Sequence, residues 1–176
     1  ARFVEWSGIT QIAAVMSLGQ VSELVFILAL PFLLRRYSIK AILIAGGLAW
    51  TLRYVLFASA YPEAITGLVI AGVLLHGPCY DFCFVAATIY IDRVVPANMR
   101  AQAQGLFMLM TYGLGLFLGA QLAGYVERMA TNSLTSEVQW SAVWMVPAAI
   151  AVVVTVLFGL FFKNFSSELN VKAKEI

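Results

Sequence analysis

Five long apolar runs are the feature that most constrains this sequence. They cover residues 12–34, 41–60, 65–91, 104–126 and 140–162, and charged residues are rare within them. A membrane-spanning helix needs about 20 mostly apolar residues to cross about 30 Å of hydrocarbon. Strands of a membrane barrel would instead alternate polar and apolar residues in short segments. The sequence therefore predicts an all-α, polytopic membrane protein with five transmembrane helices.

The composition excludes several other classes of protein. Hydrophobic residues make up 62% of the 176 residues and charged residues only 11%, with a mean hydropathy of +0.90. Soluble domains have about 45–50% apolar and about 25% charged residues, so a water-soluble globule is excluded. The net charge of +2 is spread thinly, which argues against nucleic-acid binding. Two cysteines and one histidine are too few for a disulfide framework or a standard zinc site, and no cofactor or metal is predicted.

The distribution of Lys and Arg predicts the orientation, because cytoplasmic loops carry an excess of these residues. If loops 35–40 and 92–100 share one side with the polar tail 163–176, that side holds eight of the eleven basic residues. The eight are Arg35, Arg36, Lys40, Arg93, Arg100, Lys163, Lys172 and Lys174. The other side keeps only Arg2 and Arg128, and the eleventh basic residue, Arg53, lies inside a span. The N-terminus is therefore predicted to be outside and the tail to be cytoplasmic.

The chain is also predicted to be a piece of a longer protein. It begins with Ala, and five spans starting outside suggest that at least one preceding span is missing. Many transporters are built from repeated groups of helices, so the fragment would hold part of a binding site.

Polar residues at membrane depth point to a function, since burying an ionisable side chain there costs at least about 2.5–3.5 kcal/mol. Gln20 and Glu23 are three residues apart and share one face of the first span, with Ser17 a further three residues back. One interpretation is a polar stripe that lines a central cavity and binds a substrate. The alternative is an interhelical pair, for example with Arg53.

Asp81 follows a Gly77-Pro78 pair that is expected to break the third span. Proline has no N–H and kinks a helix, and irregular backbone survives in membranes only where protein or a water-filled cavity covers it. Broken helices near the midplane are the usual place for substrate and coupling-ion sites. Asp81 is therefore a candidate for proton coupling or substrate contact, the alternative being a structural carboxylate that pairs with Arg53 or with the N-terminus of a neighbouring helix.

Two aromatic residues near Asp81 complete a local cluster. Tyr80 is next to it and His76 lies four residues before Tyr80, so an aromatic ring there could stack on a planar ligand. The alternatives are simple packing for Tyr80 and a satisfied hydrogen-bonding group for His76. Arg53 is interpreted as a structural residue that pairs with Glu23 or Asp81, or that extends outward to the membrane surface.

Enzyme activity is not predicted. An intramembrane aspartyl protease needs two aspartates in separate spans, and the only other aspartate, Asp92, ends the same helix as Asp81. A serine protease needs a Ser–His pair, and no Gly-x-Ser-x-Gly elbow accompanies His76.

Several stretches are similar to the bacterial nucleoside:proton symporters of the major facilitator superfamily. They are MSLGQVSE at 16–23, the residues at 26–28, 31–32, 35–37, 39–40, 49–50, 52–53 and 56–58, YDF at 80–82, and RAQAQG at 100–105 with Thr111. The similarity covers nearly the whole chain, and it is most specific in the first three spans.

The resemblance implies that the five spans are the eighth to twelfth of a twelve-helix transporter. It implies that Gln20 and Glu23 bind the ribose hydroxyls, that Tyr80 contacts the ligand, and that Asp81 is linked to transport. Two positions depart from the family pattern. Tyr80 replaces a Phe and His76 replaces a Tyr, and both changes bear on base preference and on the substrate class.

The sequence thus predicts the carboxy-terminal part of an inner-membrane transporter that moves nucleosides with protons by alternating access. Its expected partners are a nucleoside, protons, the lipid bilayer and the missing amino-terminal half of the chain. Gln20, Glu23, Tyr80 and His76 are the candidate substrate residues, and Glu23 and Asp81 are the candidates for proton coupling. The alternatives are a transporter for another small polar solute such as a sugar, or a membrane scaffold or sensor that transports nothing.

Overall fold

The computed structural model describes residues 2–162. The helices are α1 (Arg2–Trp6), α2 (Ile12–Arg36), α3 (Ile39–Ser59), α4 (Thr66–Leu74), α5 (His76–Val94), α6 (Ala97–Met129) and α7 (Trp140–Phe161). Within the described residues the one β feature is an isolated bridge between Thr131 and Val138. The tail 163–176, with Lys163, Lys172 and Lys174, lies outside the described residues.

The helical content confirms the predicted all-α class. The helices α2, α3, α6 and α7 are each long and apolar enough to cross a membrane, and the bent pair α4–α5 makes a fifth span if it is counted as one. α6 begins at Ala97, well before the apolar run that starts at residue 104. The apolar run marks only the part of the helix that would lie in hydrocarbon. The first turns of α6, which include Arg100 and Gln102, are polar and extend beyond that part.

Short polar connections end and restart the helices. Ser38 caps α3, since its side chain accepts a hydrogen bond from the Ala41 backbone N–H at 3.2 Å. The longer connection between α6 and α7 folds back on itself, where the Asn132 side chain accepts from the Leu134 N–H at 2.9 Å. The packing between spans does not simply follow chain order: α3 packs closely against α7 and α5, and α2 packs against α5, while α2 and α3 touch only sparsely.

Two apolar clusters pack the ends of the bundle. At the end where α1 lies, aromatic and aliphatic side chains from five parts of the chain meet: Phe3, Val4, Phe57, Ala60, Val69, Val73, Val138 and Trp140. Toward the opposite end, Leu30, Ile42 and Ala86 form a second buried cluster. The polar residues that the sequence places at membrane depth lie between the two clusters.

The fourth span, α6, is largely exposed in the described part of the chain. Gly115-x-x-x-Gly119 is a spacing that permits close helix approach. A Cβ atom added at Gly119 would nevertheless meet nothing within 4 Å. Among residues 2–162, this motif therefore makes no close helix contact.

A close contact does occur at Gly77, and it supports a prediction about stability. A Cβ atom at Gly77 would lie 2.6 Å from the backbone oxygen of Ser22, too close for any real side chain. We expect Gly77→Ala to lower the unfolding free energy of the full-length parent by about 1–3 kcal/mol, the usual cost of overpacking. Thermal unfolding of the detergent-purified protein measures this. Gly119→Ala is the matched control, and an equal midpoint for both variants would contradict the contact.

Candidate substrate and proton site

The third span is broken, but its change of direction lies at Leu75 rather than at the Gly77-Pro78 pair. α4 ends at Leu74, α5 begins at His76, and the two helices are bent by about 40°. Proline is accommodated in the first turn of a helix, where its missing N–H is not required. Pro78 therefore lies inside the start of α5, and the direction changes just before it.

A second irregularity follows immediately. Asp81–Val85 forms a π-helical turn within α5. Such turns are rare, contain one extra residue per turn, and are frequent at functional sites. His76 and Tyr80 thus lie between a bend and a widened turn, and Asp81 is the first residue of that turn.

The structure joins three of the predicted site residues in one polar row across three spans. Arg53 Nη1 on α3 lies 2.8 Å from His76 Nδ1 on α5. His76 Nε2 lies 3.7 Å from Glu23 Oε2 on α2. The side chains of His76 and Glu23 are each 31% exposed, so a small ligand can reach them. His76 therefore lies between Arg53 and Glu23, and the direct Arg53–Glu23 pair that the sequence left open is not formed among the described residues.

The position of Arg53 decides which nitrogen of His76 carries the proton. A guanidinium group only donates hydrogen bonds, so Nδ1 of His76 must accept. A neutral imidazole that accepts at Nδ1 has its hydrogen on Nε2. This N–H is the one on the side of Glu23. By fixing this tautomer, Arg53 places a hydrogen-bond donor, the Nε2–H of His76, next to a hydrogen-bond acceptor, the carboxylate of Glu23.

Asp81 lies deeper than the other site residues. Its exposed fraction is 0%, and neither carboxyl oxygen has a hydrogen-bond partner within residues 2–162. A buried polar group without a partner carries an energetic cost, and a proton or a polar ligand would relieve it. The alternative in which Asp81 pairs with Arg53 is not realised among the described residues.

An aromatic row follows one face of α5 and continues on α6. The ring centroids of His76 and Tyr80 are 5.9 Å apart, those of Tyr80 and Phe84 are 5.3 Å apart, and those of Phe84 and Tyr112 are 5.9 Å apart. The hydroxyl groups of Tyr80 and Tyr112 are also hydrogen-bonded to each other. Sequence analysis missed Tyr112. A lone phenol in the middle of an apolar span was the available signal.

The remaining polar candidates have simpler surroundings. Gln20 is exposed on α2, one turn before Glu23. Ser17 donates to the carbonyl of Ala13 in its own helix at 2.8 Å, so its hydroxyl is already engaged. The described part of the chain contains no group of three His, Cys, Asp or Glu side chains placed to hold a metal ion.

A cavity of about 870 Å³ lies away from these residues, between α3, α6 and α7. Aromatic and aliphatic side chains, including Trp50, Tyr54 and Trp144, form most of its wall. Glu23, His76, Tyr80 and Asp81 do not line it. The candidate site is therefore the open polar face of α2 and α5, rather than this apolar space.

Comparison with known proteins identifies the family. A family model for the nucleoside H+ symporters matches residues 4–167, which is nearly the whole chain. The chain belongs to the nucleoside H+ symporter family. The family that the sequence resembles is thereby confirmed.

Relatives of this chain are found in Escherichia coli (strain K12). YegT is 39% identical over 163 residues, covering 88% of this chain and 38% of YegT. The nucleoside permease NupG is 37% identical over 151 residues, covering 85% of this chain and 35% of NupG. The xanthosine permease is 35% identical over 165 residues, covering 92% of this chain and 38% of the permease. The chain thus spans 35–38% of the length of these curated relatives and matches their carboxy-terminal part.

A solved structure is similar to this chain in three dimensions. The crystal structure of a NupG mutant gives a TM-score of 0.78 at 31% identity, covering 92% of this chain and 42% of that chain. NupG belongs to the major facilitator superfamily. This match confirms the predicted fold class, part of a major facilitator bundle. The family and its relatives are transporters and permeases, which confirms that an enzyme is the wrong class.

Proposed function

We propose that this chain is the carboxy-terminal part of a transporter that moves nucleosides into the cell together with protons. The observation that carries the proposal is the row of Arg53, His76 and Glu23, placed beside aromatic rings in a nucleoside H+ symporter chain. Two relatives are named as a nucleoside permease and a xanthosine permease, which supports the same class of substrate.

The sugar of the nucleoside is assigned to Glu23, His76 and Gln20. The Nε2 atom of His76 and the Oε2 atom of Glu23 are 3.7 Å apart, too far for a direct hydrogen bond. A ribose hydroxyl both accepts and donates. It would accept from the Nε2–H of His76 and donate to the carboxylate of Glu23. Gln20, one turn earlier on α2, offers an amide to a second hydroxyl.

The base is assigned to the ring of Tyr80. Stacking of a nucleobase on an aromatic side chain contributes about 1–3 kcal/mol and tolerates different bases. Tyr80 lies one turn from His76, so the ring and the proposed sugar contacts are within the span of one nucleoside. The hydrogen bond between the hydroxyl groups of Tyr80 and Tyr112 would hold the Tyr80 ring in this position.

Proton coupling is assigned to Asp81, with Glu23 as the second acid. Asp81 is enclosed by protein and has no hydrogen-bond partner in the described residues, so proton binding changes its interaction energy strongly. Glu23 would contact both the substrate and the proton pathway. Binding of substrate at Glu23 and of a proton at Asp81 would then favour the same conformation of the bundle.

The setting proposed for this site is the bacterial inner membrane. The N-terminus of the chain would lie outside and its C-terminus in the cytoplasm, as the distribution of basic residues predicts. The five spans would be the eighth to twelfth, and the amino-terminal half would supply the other wall of the site. Transport would follow from rocking of the two halves around the bound nucleoside.

Uptake by the full-length parent tests the substrate class. In cells without their own nucleoside carriers, labelled uridine uptake should be blocked by excess unlabelled nucleosides and not by sugars. Competition by sugars alone would favour the alternative of a sugar transporter. A well-expressed protein that takes up neither solute would favour a scaffold or sensor.

A substitution of Tyr112 tests the proposed base contact. Tyr112→Phe keeps the ring and removes the hydrogen bond to Tyr80, which is worth about 0.5–1.5 kcal/mol. We expect the KM for uridine to rise about two- to tenfold, with little change in the maximal rate. Tyr125→Phe, an exposed tyrosine on the same helix, is the control. Equal KM values for the two variants would remove Tyr112 from the site.

A further inference from the structure

The broken span contains two backbone carbonyl groups that accept hydrogen bonds from other spans. The first is the carbonyl of Leu74. In a regular helix it would accept a hydrogen bond from the N–H four residues later, but that residue is Pro78, which has no N–H. The hydroxyl of Ser22 on α2 donates to this carbonyl at 2.5 Å. An unsatisfied carbonyl in a bilayer is costly, so the hydroxyl compensates for the proline.

The second carbonyl group is at Cys79, just before the π-helical turn. The helical hydrogen-bond register changes at this turn. The indole Nε1–H of Trp50 on α3 donates to the Cys79 carbonyl at 3.1 Å. Cys79 itself is fully buried, so water does not compete for this bond.

These two hydrogen bonds hold the short segment 74–79 between α2 and α3. On the α2 side the contact is tight, because a Cβ atom at Gly77 would lie 2.6 Å from the Ser22 backbone oxygen. On the α3 side, the guanidinium group of Arg53 lies over the Trp50 ring, 5.4 Å from its centroid. Arg53 in turn contacts His76. Trp50 therefore supports both the backbone of the segment and the Arg53 side chain that orients His76.

We infer that Ser22 and Trp50 are positioning residues that fix the broken helix, so that His76, Tyr80 and Asp81 point into the site together. Neither residue is needed to contact the substrate or the proton. The inference extends the proposed function, because it concerns the geometry of the same site. Whatever the substrate, the segment 74–79 opens more often when either hydrogen bond is removed.

Two variants with matched controls test this role in the full-length parent. Ser22→Ala removes the hydroxyl, and its control Ser17→Ala removes one that donates within its own helix. Trp50→Phe removes the indole N–H, and its control is Trp144→Phe, whose Nε1 is buried without a partner in the described residues. Each test variant should raise the KM for uridine about three- to tenfold, the effect of one hydrogen bond. The maximal rate should change less than twofold, and the controls should resemble the wild type.

Alkylation of Cys79 by N-ethylmaleimide, read by peptide mass spectrometry, is the readout independent of transport. Cys79 is buried, so it should react about tenfold faster in Ser22→Ala and in Trp50→Phe than in the two controls. Because both hydrogen bonds hold the same segment, the alkylation rate of the double variant should increase by less than the product of the increases in the two single variants.

The outcomes separate the inference from the proposed function. Faster alkylation of Cys79 in a parent that transports no nucleoside would support the positioning role and reject the substrate assignment. Unchanged alkylation and unchanged KM in both test variants would overturn the inference, whatever the transported substrate. If Ser22→Ala does not fold, Trp50→Phe gives the same decision by itself.

Discussion

Replacing Asp81 by Asn is expected to remove the proton-driven part of nucleoside uptake. Asn has nearly the same size and fits the same buried position, but it cannot bind and release a proton. Uptake that depends on the proton gradient should therefore fall to background. Equilibrium exchange of uridine across the membrane should stay within about threefold, since the substrate contacts remain in place. Labelled uridine uptake with and without a protonophore measures both components.

Asp92→Asn is the matched control for this variant. Asp92 lies near the end of α5, and its carboxylate is 3.8 Å from the Arg100 side chain. Both groups are exposed, and ion pairs of this kind contribute about 0–1 kcal/mol. Uptake by the control should keep its full response to the protonophore. If Asp81→Asn also kept that response, Asp81 would not be the coupling residue.

Glu23→Gln is expected to have the second large effect. A hydrogen bond to a charged group is worth about 1.5–3 kcal/mol, so the KM for uridine should rise about 10- to 100-fold. Glutamine keeps the length of the side chain and can still contact His76. The loss should therefore reflect the proposed charge-assisted bond to the sugar and the second acid of the coupling pathway.

Substrate analogues make this prediction specific to the sugar. When Glu23 is replaced, the KM for a deoxyribonucleoside that lacks the hydroxyl bound by Glu23 should rise less than the KM for uridine. Glu137→Gln, in the exposed connection between α6 and α7, is the control and should change nothing. Equal losses for uridine and for every deoxy analogue would mean that Glu23 does not bind the ribose.

The architecture was largely predictable because its cause is local. A run of about 20 apolar residues has few alternatives to a membrane-spanning helix. The depth of Gln20, Glu23 and Asp81 follows directly from where each lies within its run. The presence of a break near Pro78 was also predictable from its missing N–H. The position of the bend could not be predicted, because a proline in the first turn of a helix is compatible with a bend either before it or after it.

The contacts between spans could not be predicted in the same way. Arg53 and His76 are far apart in the chain, and their hydrogen bond depends on how α3 packs against α5. Opposite charges favour Glu23 and Asp81 as partners for Arg53, and nothing in the sequence singles out the neutral imidazole of His76 as the group that Arg53 contacts. The same reason explains why Tyr112 was missed: its partner, Tyr80, lies on another span.

Substrate-dependent proton movement is the most direct test of the central claim. The full-length parent would be reconstituted in vesicles that enclose a pH-sensitive dye and have no initial pH gradient. Adding uridine outside should acidify the interior, and Asp81→Asn should abolish this acidification while Asp92→Asn retains it. Uridine entry without any acidification, or acidification with sugars and not with nucleosides, would contradict proton-coupled nucleoside transport.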